Sequence, residues 1–135
     1  GAEEFCHLRS GGTRYSPHKD MSAFISNSFF EMSPLSLFKY TKKWFPDFIK
    51  KVSSISHIDT VIPHQASPGA LKYLESFFLD SHLINIFEGH GNQIAASIPT
   101  TLTHAYNHGL LKKDRISCLI GSSAGISLGA SLIRW

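Results

Sequence analysis

Cysteine is scarce in this sequence, with Cys6 and Cys118 the two present in 135 residues, and neither shows disulfide or metal-site spacing. This excludes a disulfide-stapled scaffold and leads us to expect a reducing, cytoplasmic setting. No apolar run reaches the roughly 18 residues of a membrane-spanning helix, and the N-terminus has no signal-peptide pattern, so no membrane association is expected. Charge of one sign is not in excess. Thirteen Lys and Arg against ten Asp and Glu give +3, and the basic residues gather only at Lys39, Lys42, Lys43, Lys50 and Lys51. These read as a solvated helix face; without basic and aromatic residues interleaved, no nucleic-acid partner is expected. The G-x-x-x-x-G-K-[ST] phosphate loop is absent as well. Methionine first occurs at Met21 in a chain that opens Gly1-Ala2, so the expectation is a domain cut from something longer.

What is present is a globular composition. Apolar residues make up 42%, enough for one packed domain over residues 1–135. Phe5 to Leu8 reads as a short strand, and Phe24 to Met32 as a strand with a possible bulge. From Ser33, apolar residues from Leu37 through Trp44, Phe45, Phe48 and Ile49 to Val52 recur at helical spacing, with an interruption at Pro46. Ile58 to Ile62 is a compact apolar strand ending at Pro63-His64-Gln65-Ala66-Ser67-Pro68. A helix with Leu71, Leu74, Phe77, Phe78 and Leu79 on its apolar side follows, then a strand at Leu83 to Phe87. A further helix carries Ile98, Leu102 and Tyr106, and Gly109 is its natural cap. Ile116 to Ile120, a small-residue loop and Ile126 to Ile133 close the chain as strand, loop, strand. Alternating strands and helices make this an α/β fold with a mixed, mostly parallel sheet covered by helices.

Three turns stand out. Asn92 lies between Gly91 and a helix start, in Gly89-His90-Gly91-Asn92-Gln93. Two readings are open: a turn whose Asn bonds its own backbone, or a loop that aims an amide into a cleft. His64 stands at the carboxyl end of a buried strand, where open α/β sheets bind ligands, though a structural histidine fits there too. Gly121-Ser122-Ser123-Ala124-Gly125 matches the G-x-S-x-G nucleophile elbow. Chain order argues against a hydrolase, since no acid or histidine follows Ser123. His104 and His108 have i, i+4 spacing for a metal pair, but no third ligand is evident.

Together these turns are more specific than any one alone. Pro63-His64-Gln65-Ala66, then Gly91-Asn92-Gln93-Ile94-Ala95-Ala96-Ser97-Ile98-Pro99, then the Gly-Ser-Ser-Ala-Gly loop resembles 3-oxoacyl-acyl-carrier-protein synthase III, of the thiolase fold. The resemblance runs from Ile58 to Trp135 and is looser over residues 3 to 57.

The resemblance implies the C-terminal half of such an enzyme. In the family a Cys-His-Asn set accepts an acyl group and condenses it with a malonyl thioester by decarboxylative Claisen chemistry. His64 and Asn92 stand at the His and Asn positions, and Ser123, Ala124 and Gly125 match the loop whose backbone N–H helps hold the oxyanion. Neither Cys6 nor Cys118 matches the family cysteine, so the nucleophile belongs to a missing N-terminal half, and this fragment alone is expected to be inactive. The implied partners are coenzyme A or acyl-carrier-protein thioesters and, in full-length form, a second copy in a homodimer. No cofactor or metal is implied. The two halves pack against each other in this fold, so an exposed apolar face is expected. Two positions depart from the bacterial housekeeping pattern: Ser67, where Asn is usual, and Gly69, where an Arg facing the carrier protein is common. They leave carrier and substrate preference open, with fatty acid and polyketide-type synthesis both in view. The alternative from another class is a non-catalytic thiolase-fold scaffold or binding module.

Overall fold

The computed structural model describes residues 2–135, which divide into two compact units. The first comprises the chain up to Lys43 together with Ser123–Ser127. In it, a 3-10 turn at Glu3–Phe5 leads into β1 (Cys6–Leu8), followed by α1 (Met21–Ser26), β2 (Phe30–Met32) and α2 (Pro34–Thr41). β1 and β2 pair antiparallel, Cys6 opposite Met32 and Leu8 opposite Phe30. The strand expected from Phe24 to Met32 is thus corrected, because its first part is helical. Asp20 is the reason: its Oδ1 accepts the Ala23 N–H at 2.9 Å and caps α1. Phe29 and Phe30 are 70% and 65% exposed, and Leu8, Met21, Ile25, Met32 and Leu35 are also more than half exposed, so this unit does present apolar side chains to solvent.

The second unit holds Trp44–Ser122 and Leu128–Trp135. Its elements are α3 (Phe45–Ser53), β3 (Thr60–Pro63), α4 (Pro68–Glu75), β4 (His82–Leu83), α5 (Phe87–His90), α6 (Ser97–Asn107), β5 (Ile116–Ser123) and β6 (Ser127–Arg134). The long helix expected from Ser33 is two, α2 and α3, and Pro46 lies in the first turn of α3, where its missing N–H has no cost. The sheet order is β4-β3-β5-β6, with β3 parallel to both neighbours. Successive residues of a strand face opposite sides, and the core divides accordingly. Val61, Cys118 and Ile120 pack with Phe45, Ile49 and Val52 of α3 and with Leu74 and Phe78, while Ile62 packs with Ile84, Ile86 and Ala105, flanked by Leu119. Helices therefore cover both faces. Three positions read as apolar-facing are exposed: Trp44, just before α3, at 58%, Leu79, past the end of α4, at 83%, and Tyr106 at 71%.

Register is held at the strand entrances. Asp59 accepts the Ile116 N–H at 2.9 Å and an Arg115 guanidinium N–H at 2.8 Å, tying the start of β5 to that of β3. The Ile116 bond, helped by Arg115, holds the Asp59 carboxyl below its ordinary pKa. At this same open end of the β5–β6 hairpin, Trp135 Nε1 donates to Ser117 Oγ at 2.8 Å. No helix among the described residues is long and apolar enough to cross a membrane.

α6 ends in a Schellman motif: Gly109 N–H donates to Tyr106 and Leu110 N–H to Ala105, at 3.0 and 2.9 Å. Gly109 has φ +63°, with open space where a Cβ would go. Gly109→Ala is therefore expected to lower stability by about 1 kcal/mol through backbone strain alone. Denaturant midpoints at unchanged slope check this.

Candidate functional site

His64 follows directly on β3, and its N–H donates to the Ile120 carbonyl at 2.8 Å, so β5 still guides the main chain there. A Cβ built on Gly121 of β5 would lie 3.2 Å from His64 Cβ and 3.3 Å from Ile98 Cδ1. Both are tighter than ordinary van der Waals contact, so a side chain there would force its neighbours to give by a few tenths of an ångström. The His64 ring is half-buried, and that burial pushes its pKa below the ordinary imidazole value. At neutral pH it is an uncharged ring with one N–H and one free lone pair.

Asn92 arrives from the other side. After β4 the chain runs through α5, and Gly91 turns it with φ +64°. Gly89 is an ordinary helical residue of α5. Asn92 Oδ1 accepts the Ile94 N–H at 2.9 Å, and its Nδ2 donates to the Ala66 carbonyl at 3.2 Å. With opposite partners at its two ends, the amide has one orientation and keeps one Nδ2 hydrogen unused. Ala66 N–H donates in turn to the His64 carbonyl at 2.8 Å. The Asn92 side chain is thus joined, through one residue, to the turn that carries His64.

Between them lies a residue that motif reading passed over. Gln65 is completely buried, and its carboxamide bonds only to main chain: Nε2 to the carbonyls of Ile84 (3.0 Å) and Pro63 (3.3 Å), and Oε1 from the Ile86 N–H (3.2 Å). This explains why the strand expected over Leu83 to Phe87 is only His82–Leu83 in the ladder, with Ile84 and Ile86 buried beyond it. The signal available in the sequence was a glutamine two residues after a strand-ending proline. Ser67, the departure from the housekeeping pattern, caps α4 by accepting the Ala70 N–H at 3.2 Å.

The other residues singled out fall as follows. Ser123 ends β5, and Ala124 and Gly125 make the exposed turn to β6, with Gly125 at φ +111°. This turn is grouped with the first unit. Cys6 is half-buried in β1; Cys118 is wholly buried in β5, where burial pushes its thiol up to about 11. His104 and His108 stack with ring centroids 4.1 Å apart, and His108 Nδ1 donates to the His104 carbonyl at 2.8 Å. Among the described residues no group of three or more His, Cys, Asp or Glu is placed to hold a metal ion.

Comparison with known proteins gives the family and the fold. Residues 50–135 match the family model described as 3-Oxoacyl-[acyl-carrier-protein (ACP)] synthase III C terminal. The chain belongs to the 3-oxoacyl-acyl-carrier-protein synthase III family. It is 35% identical over 118 residues to a beta-ketoacyl-[acyl-carrier-protein] synthase III of Clostridium tetani, an alignment covering 82% of this chain and 35% of that protein. A solved 3-oxoacyl-(acyl-carrier-protein) synthase III superposes with TM-score 0.82 at 17% identity, over 99% of this chain and 44% of the other. The enzyme from Pseudomonas aeruginosa gives TM-score 0.75 at 23% identity, over 98% and 40%. At these identities the two structures establish the thiolase-like fold. The chain spans about a third of the length of the curated synthase III relatives it matches.

Proposed function

We propose that this chain supplies the His and Asn of a condensing acyltransferase whose cysteine lies outside residues 1–135, the full protein joining an acyl thioester to a malonyl thioester. The observation that carries this reading is the hydrogen bond from Asn92 Nδ2 to Ala66, which draws the Asn92 amide to the turn bearing a neutral, half-buried His64. In the reaction the bond between the malonyl methylene and its carboxylate breaks and CO2 leaves. The electron pair passes into an enolate whose oxygen accepts N–H bonds from His64 and Asn92. The enolate carbon attacks the acyl-cysteine carbonyl, and the thiolate departs as the 3-oxoacyl thioester forms. Neutral donors preset around the developing charge stabilise it without reorganising. The backbone at Ser123, Ala124 and Gly125 serves the other oxyanion, on the acyl-cysteine carbon. Thioesters of coenzyme A and of an acyl carrier protein are the substrates of this reading, and a homodimer is its assembled form.

Neither cysteine present replaces the nucleophile, because a thiol raised to about 11 is not ionised at neutral pH and Cys6 belongs to a short paired strand. The 135-residue chain alone is therefore expected to form no 3-oxoacyl thioester from an acyl-coenzyme A and a malonyl thioester above background, whereas a chain of its relatives' length turns over. Turnover by the short chain that disappears in Cys6→Ser or Cys118→Ser would overturn the assignment.

A further inference from the structure

Gln65 occupies a gap that the sequence of β3 creates in the sheet. β3 and β4 are parallel, with His82 N–H donating to Asp59 and Ile84 N–H to Val61, both within 2.8–2.9 Å. A parallel ladder continues in steps of two residues, so the next bond would run from the N–H of residue 63 to the Ile84 carbonyl. Residue 63 is proline and has no N–H. The Gln65 side chain stands in for it. Its Nε2 donates to Ile84 at 3.0 Å, and its Oε1 accepts the Ile86 N–H at 3.2 Å, where the Pro63 carbonyl would next have served. That carbonyl accepts from Gln65 Nε2 instead, at 3.3 Å. A primary amide has the donor and acceptor of a peptide unit, so it extends the ladder by one rung while the two main chains separate around it.

We infer that Gln65 is a positioning residue for the His64–Asn92 pair, its carboxamide fixing the spacing between the turn after β3 and the segment that leads to Asn92. The inference rests on the proposed roles of His64 and Asn92. Residues 64, 65 and 66 divide the work. His64 is held to Ile120 on the β5 side, Gln65 to Ile84 and Ile86 on the β4 side, and Ala66 receives Asn92. Without the Gln65 amide, the exposed Asn92–Ala66 bond is the one direct hydrogen bond left between the two turns among the described residues, and it is made by one of the groups being positioned.

The test uses the full-length enzyme and two half-reactions, acylation of its cysteine and release of CO2 from a malonyl thioester. Gln65→Met keeps the bulk and removes the polar atoms; it should slow CO2 release about tenfold, the effect of 1.4 kcal/mol at the barrier, and leave acylation unchanged. Gln65→Glu is the decisive variant. As a neutral acid its O–H donates to Ile84 and its other oxygen accepts from Ile86, whereas as a carboxylate it faces the Ile84 carbonyl with no proton to give. Burial favours the neutral acid, so CO2 release by Gln65→Glu relative to wild type should rise as pH falls. The titratable neighbours are His64 and His90, whose Nδ1 lies 3.3 Å from the Ile86 carbonyl oxygen. Both are also in the wild type, so the ratio removes their effect. A merely structural role would lower both half-reactions together. Thermal melts identify the folded variants, and Gln65→Glu supplies the comparison if Gln65→Met does not fold. A flat pH ratio, or equal loss in both half-reactions, overturns the inference. If His64→Ala and Asn92→Ala leave CO2 release intact, the underlying reading fails instead.

Discussion

Replacing Asn92 by alanine in the full-length enzyme is expected to slow CO2 release from a malonyl thioester by about 10²–10³-fold, the usual effect of losing one preset oxyanion donor. His64→Ala should do the same, and acylation of the cysteine should survive in both if, as proposed, the pair serves the enolate and not the thiolate. The fold gives a reason to attribute the loss to chemistry. Asn92 is exposed, and the groups it leaves behind are the Ile94 N–H and the Ala66 carbonyl, at turns that water reaches. His64 keeps its backbone bond to Ile120 whatever its side chain. His64 also has a pH signature. Its folded-state pKa lies below the ordinary value of about 6.5, so the unfolded chain binds the proton first and stability falls as pH drops from there to the lowered value. Below the lowered value the contribution levels off, and well above 6.5 it is absent. His64→Gln should therefore lose less stability than wild type on going from neutral to mildly acidic pH. CO2 release at wild-type rates in both alanine variants would remove the pair from the mechanism.

Much of this arrangement is legible in the residues. The apolar runs at Val61–Ile62 and Ile116–Ile120 are the two central parallel strands, and Gly109 ends α6 as its type and position require. Asn92 shows why one stretch supported two readings. Its Oδ1 bonds its own backbone at Ile94, as a turn Asn does, while its Nδ2 reaches a residue 26 positions away. The readings describe two ends of one amide. What the residues hid depends on partners distant in sequence. The cap that Asp20 supplies to α1 was not read, and the aromatic run from Phe24 has the pattern of a strand. Gln65 looks like a loop residue until the missing N–H of Pro63 is set against the Ile84 carbonyl, which only the parallel register brings alongside. Leu79 was assigned to a helix face because the apolar spacing continues past Glu75, where α4 ends.

Gly121 yields the second large effect, because it tests the site through space and not through chemistry. Its backbone angles are ones any residue adopts, so a substitution meets no intrinsic strain. The obstacle is contact. A new Cβ would press on Ile98 Cδ1 at 3.3 Å and on His64 Cβ at 3.2 Å, both tighter than ordinary van der Waals separation. The two neighbours yield unequally. Ile98 Cδ1 is the end of a flexible chain, whereas His64 Cβ is attached to a main chain held by Ile120 on one side and, one residue on, by the buried Gln65. Alanine is accommodated partly by Ile98 and should cost about tenfold in CO2 release. Valine adds two methyl groups that Ile98 cannot clear, and a displacement approaching 1 Å at a reacting group costs about 10²-fold. Stability should fall by about 1–3 kcal/mol through overpacking, leaving the enzyme folded at room temperature. Truncating Ile98 to alanine in the Gly121→Ala background removes one contact and leaves the other. If the pressure on His64 is what matters, Gly121→Ala costs less stability in the Ile98→Ala background than in wild type, while the tenfold deficit persists. Recovery of the rate as well would mean that the deficit came from packing around Ile98, and that β5 does not set the position of His64.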